Sequence, residues 1–501
     1  MGCRRTPGHP LPAQRGTTVG DTPGGDHHAC ACWRARLRGC HRYRVRAQLH
    51  TRRKDGGAIH HRRRGRPAGD ALRRGRLCRQ RNRHEGETMK IESVDVRLID
   101  ADFRNLIITQ VHTDTGLTGI SEVVTKRFDD ATWRAIENLV ENIGLIGKDP
   151  RQPALHFERM YRDNQWTIGT VAVSAISALD IAMWDIKGQE VGKPVYELFG
   201  GPTFEGRVPV YCHVPGGGSR EEFADNIAGA IERGYRVIKT TIPVYYGQQQ
   251  RVSADGIEYD ISGAAYSGTK GRVDGSHNEH QWTDPAVIAE LIDFYAHAKQ
   301  VHGDGVELWV DCHARLSGAT AVQLVHGLKG LVDVIEEPLP PEDIPGLLKL
   351  KEASYASGGP RIAGGERTAT VYDRNMVSML TTQAVDVFQP DIGNCGGFSQ
   401  LKELCTVAAM NNIAVAPHNP NGPLSVVQGL QGMAFLRNGY ILETVGNANE
   451  EKLANDLLSN PEIVRSRDGF IDLPTGPGLG TGLNPEGLAA RPFKRYYQTT
   501  R

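Results

Sequence analysis

The chain has 501 residues, with 59 Lys+Arg against 58 Asp+Glu, a length that suits one large barrel with a smaller attached domain or two to four ordinary domains. No apolar run approaches the length of a membrane-spanning helix, so a cytoplasmic protein without a membrane partner is expected. The neutral average hides an asymmetry, because residues 1–88 hold 22 Lys+Arg against 6 Asp+Glu, leaving 37 against 52 for the rest.

Residues 1–88 are rich in Arg, Gly and His and have no hydrophobic period, so they are not expected to fold alone. They lack the apolar region of a secretory signal and contain acids that a transit peptide avoids. One reading is a nucleic-acid-binding arm built on Arg62-Arg63-Arg64-Gly65-Arg66 and Arg73-Arg74-Gly75-Arg76. The preferred reading is upstream sequence ahead of a start at Met89, where Met89-Lys90-Ile91-Glu92-Ser93-Val94 opens an alternating strand; nucleic acid is then not an expected partner. His27, His28, Cys30, Cys32, Cys40 and His41 match no standard zinc spacing. Cys212, Cys312, Cys395 and Cys405 are expected to be reduced thiols.

From Met89 the chain reads as an α+β unit over 89–206. Alternating runs at 91–98, 105–113 and 118–124 predict a three-stranded meander, with Asp114-Thr115-Gly116 supplying a turn. Over 170–188, Val173, Ile176, Leu179, Ile181 and Trp184 predict a buried amphipathic helix. From 207 to 446 short β-rich runs at 208–214, 237–242, 307–311, 332–336, 361–366, 384–391, 413–418 and 440–443 alternate with helical patterns. Ser219 with Glu222 forms a capping box for the first of those helices. Repeated βα units predict a parallel sheet, and eight such strands predict a closed barrel. An open doubly wound sheet is the alternative, weakened because no GxGxxG follows a strand. The insertion near 243–282 is far longer than an ordinary βα loop and predicts a functional loop or a contact in a homo-oligomer. Residues 447–501 are too irregular for another unit and are expected to return to the first domain.

Barrels keep their chemistry at the C-terminal ends of their strands. Asp311, Glu336 and Glu366 end three successive runs, 25 and 30 residues apart, so neighbouring strands would aim three carboxylates at one point. Such a cluster repels itself unless it holds a cation, and all-oxygen ligation selects Mg²⁺, with Mn²⁺ possible. His313 lies two residues beyond Asp311 and is expected on the same interior face. Across the barrel, His418 ends the seventh run and Asp391 the sixth, a pairing suited to a general base. Lys239 shares a face with Thr241 on the second run and can pair with a substrate carboxylate, which Glu443 on the eighth run can also bind.

These residues, with the segment Ser174-Ala175-Ile176-Ser177-Ala178-Leu179-Asp180-Ile181-Ala182-Met183-Trp184-Asp185-Ile186-Lys187-Gly188, Ile335-Glu336-Glu337-Pro338 and Gln389-Pro390-Asp391, resemble the mandelate racemase subgroup of the enolase superfamily. The resemblance runs from Met89 nearly to the C-terminus. It implies an α+β capping domain over a modified (β/α)₇β barrel, with Mg²⁺ on Asp311, Glu336 and Glu366. Two-base racemases of that subgroup carry Lys-x-Lys on the second strand; Lys239-Thr240-Thr241 lacks the distal Lys. Asp311-Cys312-His313, Gly365-Glu366-Arg367 and Pro417-His418-Asn419-Pro420-Asn421-Gly422-Pro423 are similar to the galactonate dehydratase family. The resemblance implies dehydration of a galactonate- or gluconate-like acid to a 2-keto-3-deoxy acid, with His418 as base and His313 as acid. Arg367, Asn419 and Trp166 are candidate substrate contacts. The alternatives are an acid-sugar racemase, epimerase or cycloisomerase on the same scaffold, a mannonate dehydratase, suggested by the insertion, or a regulatory protein using the basic leader.

Overall fold

In the computed structural model, described for residues 89–492 except 103, 164–168, 218, 242–252, 255–256, 259–284, 315 and 368–369, the meander forms three antiparallel strands. These are β1 (Ile91–Asp100), β2 (Asn105–Thr113) and β3 (Thr118–Val123), hydrogen-bonded in that order. Gly116, at φ 85°, closes the second turn by donating its N–H to Thr113 O at 3.0 Å, a backbone region that glycine enters without penalty. Alternation gives β2 two buried faces. Ile107 and Val111 pack with Ile176, Leu179 and Met183. Leu106 and Ile108 meet Leu453, Leu457 and Leu488 from the C-terminal part of the chain.

Three helices complete this layer: α1 (Asp129–Ile143), α2 (Pro153–Arg162) and α3 (Thr170–Val191). The helix α3 is buried as expected, but on nearly its whole circumference and not on one face alone. It lies between the β1–β3 sheet and the barrel, which cover most of both sides. Ser121 Oγ donates to Ala178 O at 2.8 Å on one side, and Ser399 Oγ donates to Asp180 Oδ1 at 2.5 Å on the other. Gly192, left-handed at φ 69°, ends it.

The second region is a parallel sheet of β4 (Arg207–Val214), β5 (Val237–Thr241), β6 (Glu307–Asp311), β7 (Val334–Glu336), β8 (Arg361–Gly364), β9 (Val387–Phe388), β10 (Ala414–Val415) and β11 (Leu442–Thr444). Each strand pairs with its sequence neighbour, and β11 returns to β4. A parallel bridge between Val415 and Gly439, with Tyr440 N donating to Val415 O at 2.7 Å, joins β10 to the segment that leads into β11 and closes the barrel. Among the described residues a helix separates each successive pair: α4 (Arg220–Glu232), α5 (Pro285–His302), α6 (Gly318–Gly327), α7 (Ile344–Ser357), α8 (Arg374–Thr381), α9 (Gly397–Met410) and α10 (Pro423–Met433). The fold is a (β/α)₇β barrel under an α+β cap. Ser219 Oγ accepts the Glu222 N–H at 3.2 Å, as the capping box requires.

Several strands are shorter than their apolar runs, notably the fourth, sixth and seventh. Side chains replace ladder partners at their entrances: Asp333 Oδ2 accepts Leu308 N and Asp386 Oδ2 accepts Ile362 N, each at 2.9 Å. Tyr211, Trp309, Val334, Ala363, Val387, Ala416 and Ile441 fill the barrel interior, leaving polar groups for the C-terminal mouth. Beyond β11 lie α11 (Ala448–Leu457), a strand β12 (Phe470–Asp472) antiparallel to β4, and α12 (Pro485–Ala489). The Arg491 guanidinium donates to Asp456 Oδ2 at 2.6 Å and Asp100 O at 3.0 Å. The leader and nearly all of the insertion lie outside the described residues, except Ser253–Ala254 and Ile257–Glu258, which pair antiparallel. Among the described residues no helix is long and apolar enough to cross a membrane, and the four cysteines are buried and free.

Candidate active site

Three strand ends converge as their spacing predicts. Asp311 closes β6, Glu336 closes β7 and Glu366 follows β8, and one carboxylate oxygen from each lies within 4.8 Å of the others. Asp311 and Glu336 are buried and Glu366 nearly so, which leaves little water to dilute their repulsion, and cationic partners surround them. Lys239, fully buried on β5, donates to Glu336 Oε1 at 2.6 Å and pairs with Glu443 Oε1 at 2.7 Å. Burial alone would discharge this ammonium; Glu336 and Glu443 hold its pKa well above the ordinary lysine value. Glu443, fully buried at the end of the eighth strand, is no rim residue. Burial opposes its charge, but Lys239, His418 and His213 keep it well below the usual carboxylate range.

His418 has one nitrogen on each side of a functional boundary. Its Nδ1 is 2.9 Å from Asp391 Oδ2, and its Nε2 is 3.1 Å from Glu366 Oε2. An ionised carboxylate only accepts, so Nδ1 carries a proton and Nε2 faces the acid cluster. Burial would lower the imidazole pKa, but Glu366, Glu443 and Asp391 push it up to about 9. Asp391 is fully specified, with Oδ1 accepting the Gly393 N–H at 2.8 Å and Oδ2 also accepting from Asn421 Nδ2 at 3.2 Å.

His313 reaches the cluster by a different route from the expected one. Strand alternation stops at Asp311; Oδ1 of that residue accepts the His313 N–H at 2.8 Å, and His313 is left-handed at φ 50°. This turn brings His313 Nε2 to 2.9 Å from Asp311 Oδ2. Burial opposes ionisation of Asp311, but His313 and Lys239 lower its pKa below the ordinary range. A non-glycine residue in this region costs about 1–3 kcal/mol, and such strain gathers at functional sites.

The other candidates fall into place unevenly. Asn419 is buried, its N–H donating to Glu443 Oε2 at 3.0 Å. Arg367 lies at the rim, 3.3 Å from Glu366 Oε1 and 3.5 Å from Glu337 Oε2. Glu337, next to Glu336 in sequence, is buried and accepts the Gly365 N–H at 2.8 Å. Burial and the charge of Glu366 push its pKa up to about 8. Trp166 lies outside the described residues.

Sequence reasoning missed four neighbours. His213 Nε2 is 3.0 Å from Glu443 Oε1, and its place at the end of β4 could have revealed it by the rule that found Asp311. Gln389 Nε2 donates to Glu336 Oε2 at 2.6 Å. Arg104 and Lys126 arrive from the cap. Arg104 donates to Asn421 Oδ1 at 3.2 Å. Lys126 is left-handed at φ 49°; desolvation, with the charge of Arg104, lowers its pKa against the opposite pull of Glu366 and Asp311. No local signal announces either.

The cluster of Asp311, Glu336 and Glu366 fits a hard divalent cation: its three donors are carboxylate oxygens, with no thiolate among them to favour a soft metal.

Comparison with known proteins places these features in a family. The model for the mandelate racemase / muconate lactonizing enzyme N-terminal domain matches residues 89–200, and that for the enolase C-terminal domain-like fold matches residues 222–487. A D-galactonate dehydratase of Verminephrobacter eiseniae is 30% identical over 391 residues, 75% of this chain and 88% of its own. A D-galactonate dehydratase family member of Pseudarthrobacter chlorophenolicus is 27% identical, over 82% of this chain and 97% of its own. An enolase from Pantoea ananatis, solved with D-gluconate and Mg, shares the fold at a TM-score of 0.69 and 23% identity, over 81% of this chain and 95% of its own.

Proposed function

The chain belongs to the mandelate racemase / muconate lactonizing enzyme family of the enolase superfamily, and from that premise we propose that it is a Mg²⁺-dependent lyase dehydrating a sugar acid, galactonate- or gluconate-like, to its 2-keto-3-deoxy acid. The observation that carries this reading is His418, with Nδ1 on Asp391 and Nε2 facing the acid cluster. In this reading residues 89–206 cap a barrel of residues 207–446, residues 447–501 return to the cap, and residues 1–88 take no part.

Asp311, Glu336 and Glu366 would hold the ion, which supplies positive charge against the negative charge that develops on the substrate carboxylate. Lys239 adds a cation on the same side, and Glu443 and Asn419 hold the arc next to it. An ion held by Glu366 would offset the charge that this carboxylate turns toward His418, so Nε2 would be free to accept a proton nearer neutral pH. His418 Nε2 takes the proton from C2. The C3–O bond breaks with its electron pair going to oxygen, and His313, on the opposite arc of the barrel, supplies a proton so that water leaves. The remaining enol tautomerises to the keto acid. A single lysine on β5 leaves no second base of the Lys-x-Lys type, which favours elimination over racemisation. Arg367 is placed to contact substrate at the rim.

The test is a screen of aldonic and aldaric acids with Mg²⁺, reading 2-keto-3-deoxy product by semicarbazone absorbance. Product dependent on added Mg²⁺ after EDTA treatment is expected. Undiminished turnover in EDTA-treated protein, or C2 inversion without keto acid, would contradict the proposal.

A further inference from the structure

The cap reaches the His418–Asp391 pair through a continuous chain of hydrogen bonds. Arg104, in the turn between β1 and β2, donates from a guanidinium nitrogen to Asn421 Oδ1 at 3.2 Å. Asn421 Nδ2 donates to Asp391 Oδ2 at 3.2 Å, and the same oxygen takes the His418 Nδ1 proton at 2.9 Å. Asn421 and Asp391 are both buried.

Two separate devices fix Asn421. Its backbone is clamped by Glu122, a fully buried acid at the end of β3 that accepts the N–H groups of Gly422 at 2.6 Å, Leu424 at 3.2 Å and Ser425 at 3.4 Å. The approach is so close that a Cβ on Gly422 would lie 2.5 Å from Leu106 Cδ1 and 2.7 Å from the Glu122 carboxylate. What remains free is the torsion of the Asn421 side chain. A primary amide can present either end, and the two ends have opposite polarity. A guanidinium has donors only, so opposite Arg104 the amide must offer its oxygen and leave its NH₂ for Asp391. Turned over, the amide oxygen would face the Asp391 carboxylate and repel it.

We propose that Arg104 and Asn421 are positioning residues for His418: the guanidinium sets the amide, the amide sets the Asp391 carboxylate, and the carboxylate holds the imidazole with Nε2 toward the metal-binding acids. The cap is thereby part of the base and not only a lid over the mouth. The role assigned to His418 rests on the proposed function; the relay itself is a property of the folded chain, and its test reads both.

In protein labelled with ¹⁵N-histidine, the Nδ1 proton of His418 is identified by its loss in His418→Asn. Arg104→Ala and Asn421→Ala should each displace that resonance in the same direction. The double variant should move it no further than Asn421→Ala, and Arg104→Lys, which keeps a donor, should leave most of the signal in place. In turnover with Mg²⁺ the loss should fall on kcat by about 10–100-fold, the range for groups that orient a functional side chain, and the double variant should equal the Asn421 single. A resonance unmoved in folded Arg104→Ala, or losses that multiply in the double variant, overturns the relay. Displaced resonances in a chain that dehydrates no sugar acid support the relay and count against the proposed function.

Discussion

Two sets of buried carboxylates divide the molecule. In the cap and at its seam with the barrel, Glu122, Asp180 and Asp185 stand apart, each satisfied by neutral N–H and hydroxyl donors. Asp185 accepts from Ile120 N at 2.9 Å and Leu479 N at 2.8 Å, and Asp180 from Ser399 N at 3.1 Å. Burial pushes Glu122 and Asp180 up to about 7 and Asp185 up to about 6. At the barrel mouth Asp311, Glu336, Glu366 and Glu443 face one another and are balanced by Lys239 and histidines. An acid buried alone is a joint; acids buried together, aimed at one point and ringed by cations, are a site. Burial by itself does not distinguish the two, whereas convergence does.

The contrast is sharpest where charge is removed without volume. Glu366→Gln should reduce turnover to background while the fold survives, because it deletes a ligand charge and relieves repulsion; activity assays beside thermal melting check both halves. Glu443→Gln should cost about 10²–10³-fold in kcat/KM, the scale of losing one preorganised electrostatic partner, since Lys239 loses one of two carboxylates; steady-state kinetics decide. In the other set the effect should move from activity to stability. Asp185→Asn removes a charged acceptor from two buried N–H groups and should cost about 1–3 kcal/mol, read as a lower urea midpoint with kcat nearly unchanged.

The pH dependence separates the joints further. The folded-state pKa of Asp180 is raised, to about 7, so the folded chain binds a proton that the unfolded chain releases above the ordinary aspartate range. Its stabilising contribution is complete below pH 4 and is lost as pH rises toward 7, at up to about 1.4 kcal/mol per pH unit. Asp180→Asn should remove that slope from urea midpoints measured between pH 4.5 and 7. An unchanged slope would show that the group is ionised throughout this window.

Much of this division was legible in the residues. Asp311, Glu336 and Glu366 each end an apolar run one βα unit from the next, and a parallel barrel translates that spacing into proximity. His418 and Asp391 were legible as ends of adjacent strands. Trp166 and all of the insertion near 243–282 but the short Ser253–Ala254 and Ile257–Glu258 pair lie outside the described residues. What escaped the sequence came from two causes. His313 arrives through a left-handed turn held by the Asp311 side chain, which alternation does not foresee. Arg104, Glu122 and Asn421 meet across roughly three hundred residues of sequence, where no spacing rule reaches. The all-round burial of α3 was hidden for the same reason, since its second covered face depends on Ser399 of α9.

The placement of base and acid on opposite arcs of one acid cluster is tested most directly by α-proton exchange in D₂O. On a confirmed sugar-acid substrate followed by NMR, His418→Asn should show neither deuterium at C2 nor product. His313→Asn should keep C2 exchange while elimination slows by about 10²–10⁴-fold, the usual contribution of a general acid. Exchange that survives in His418→Asn and vanishes in His313→Asn would contradict the account.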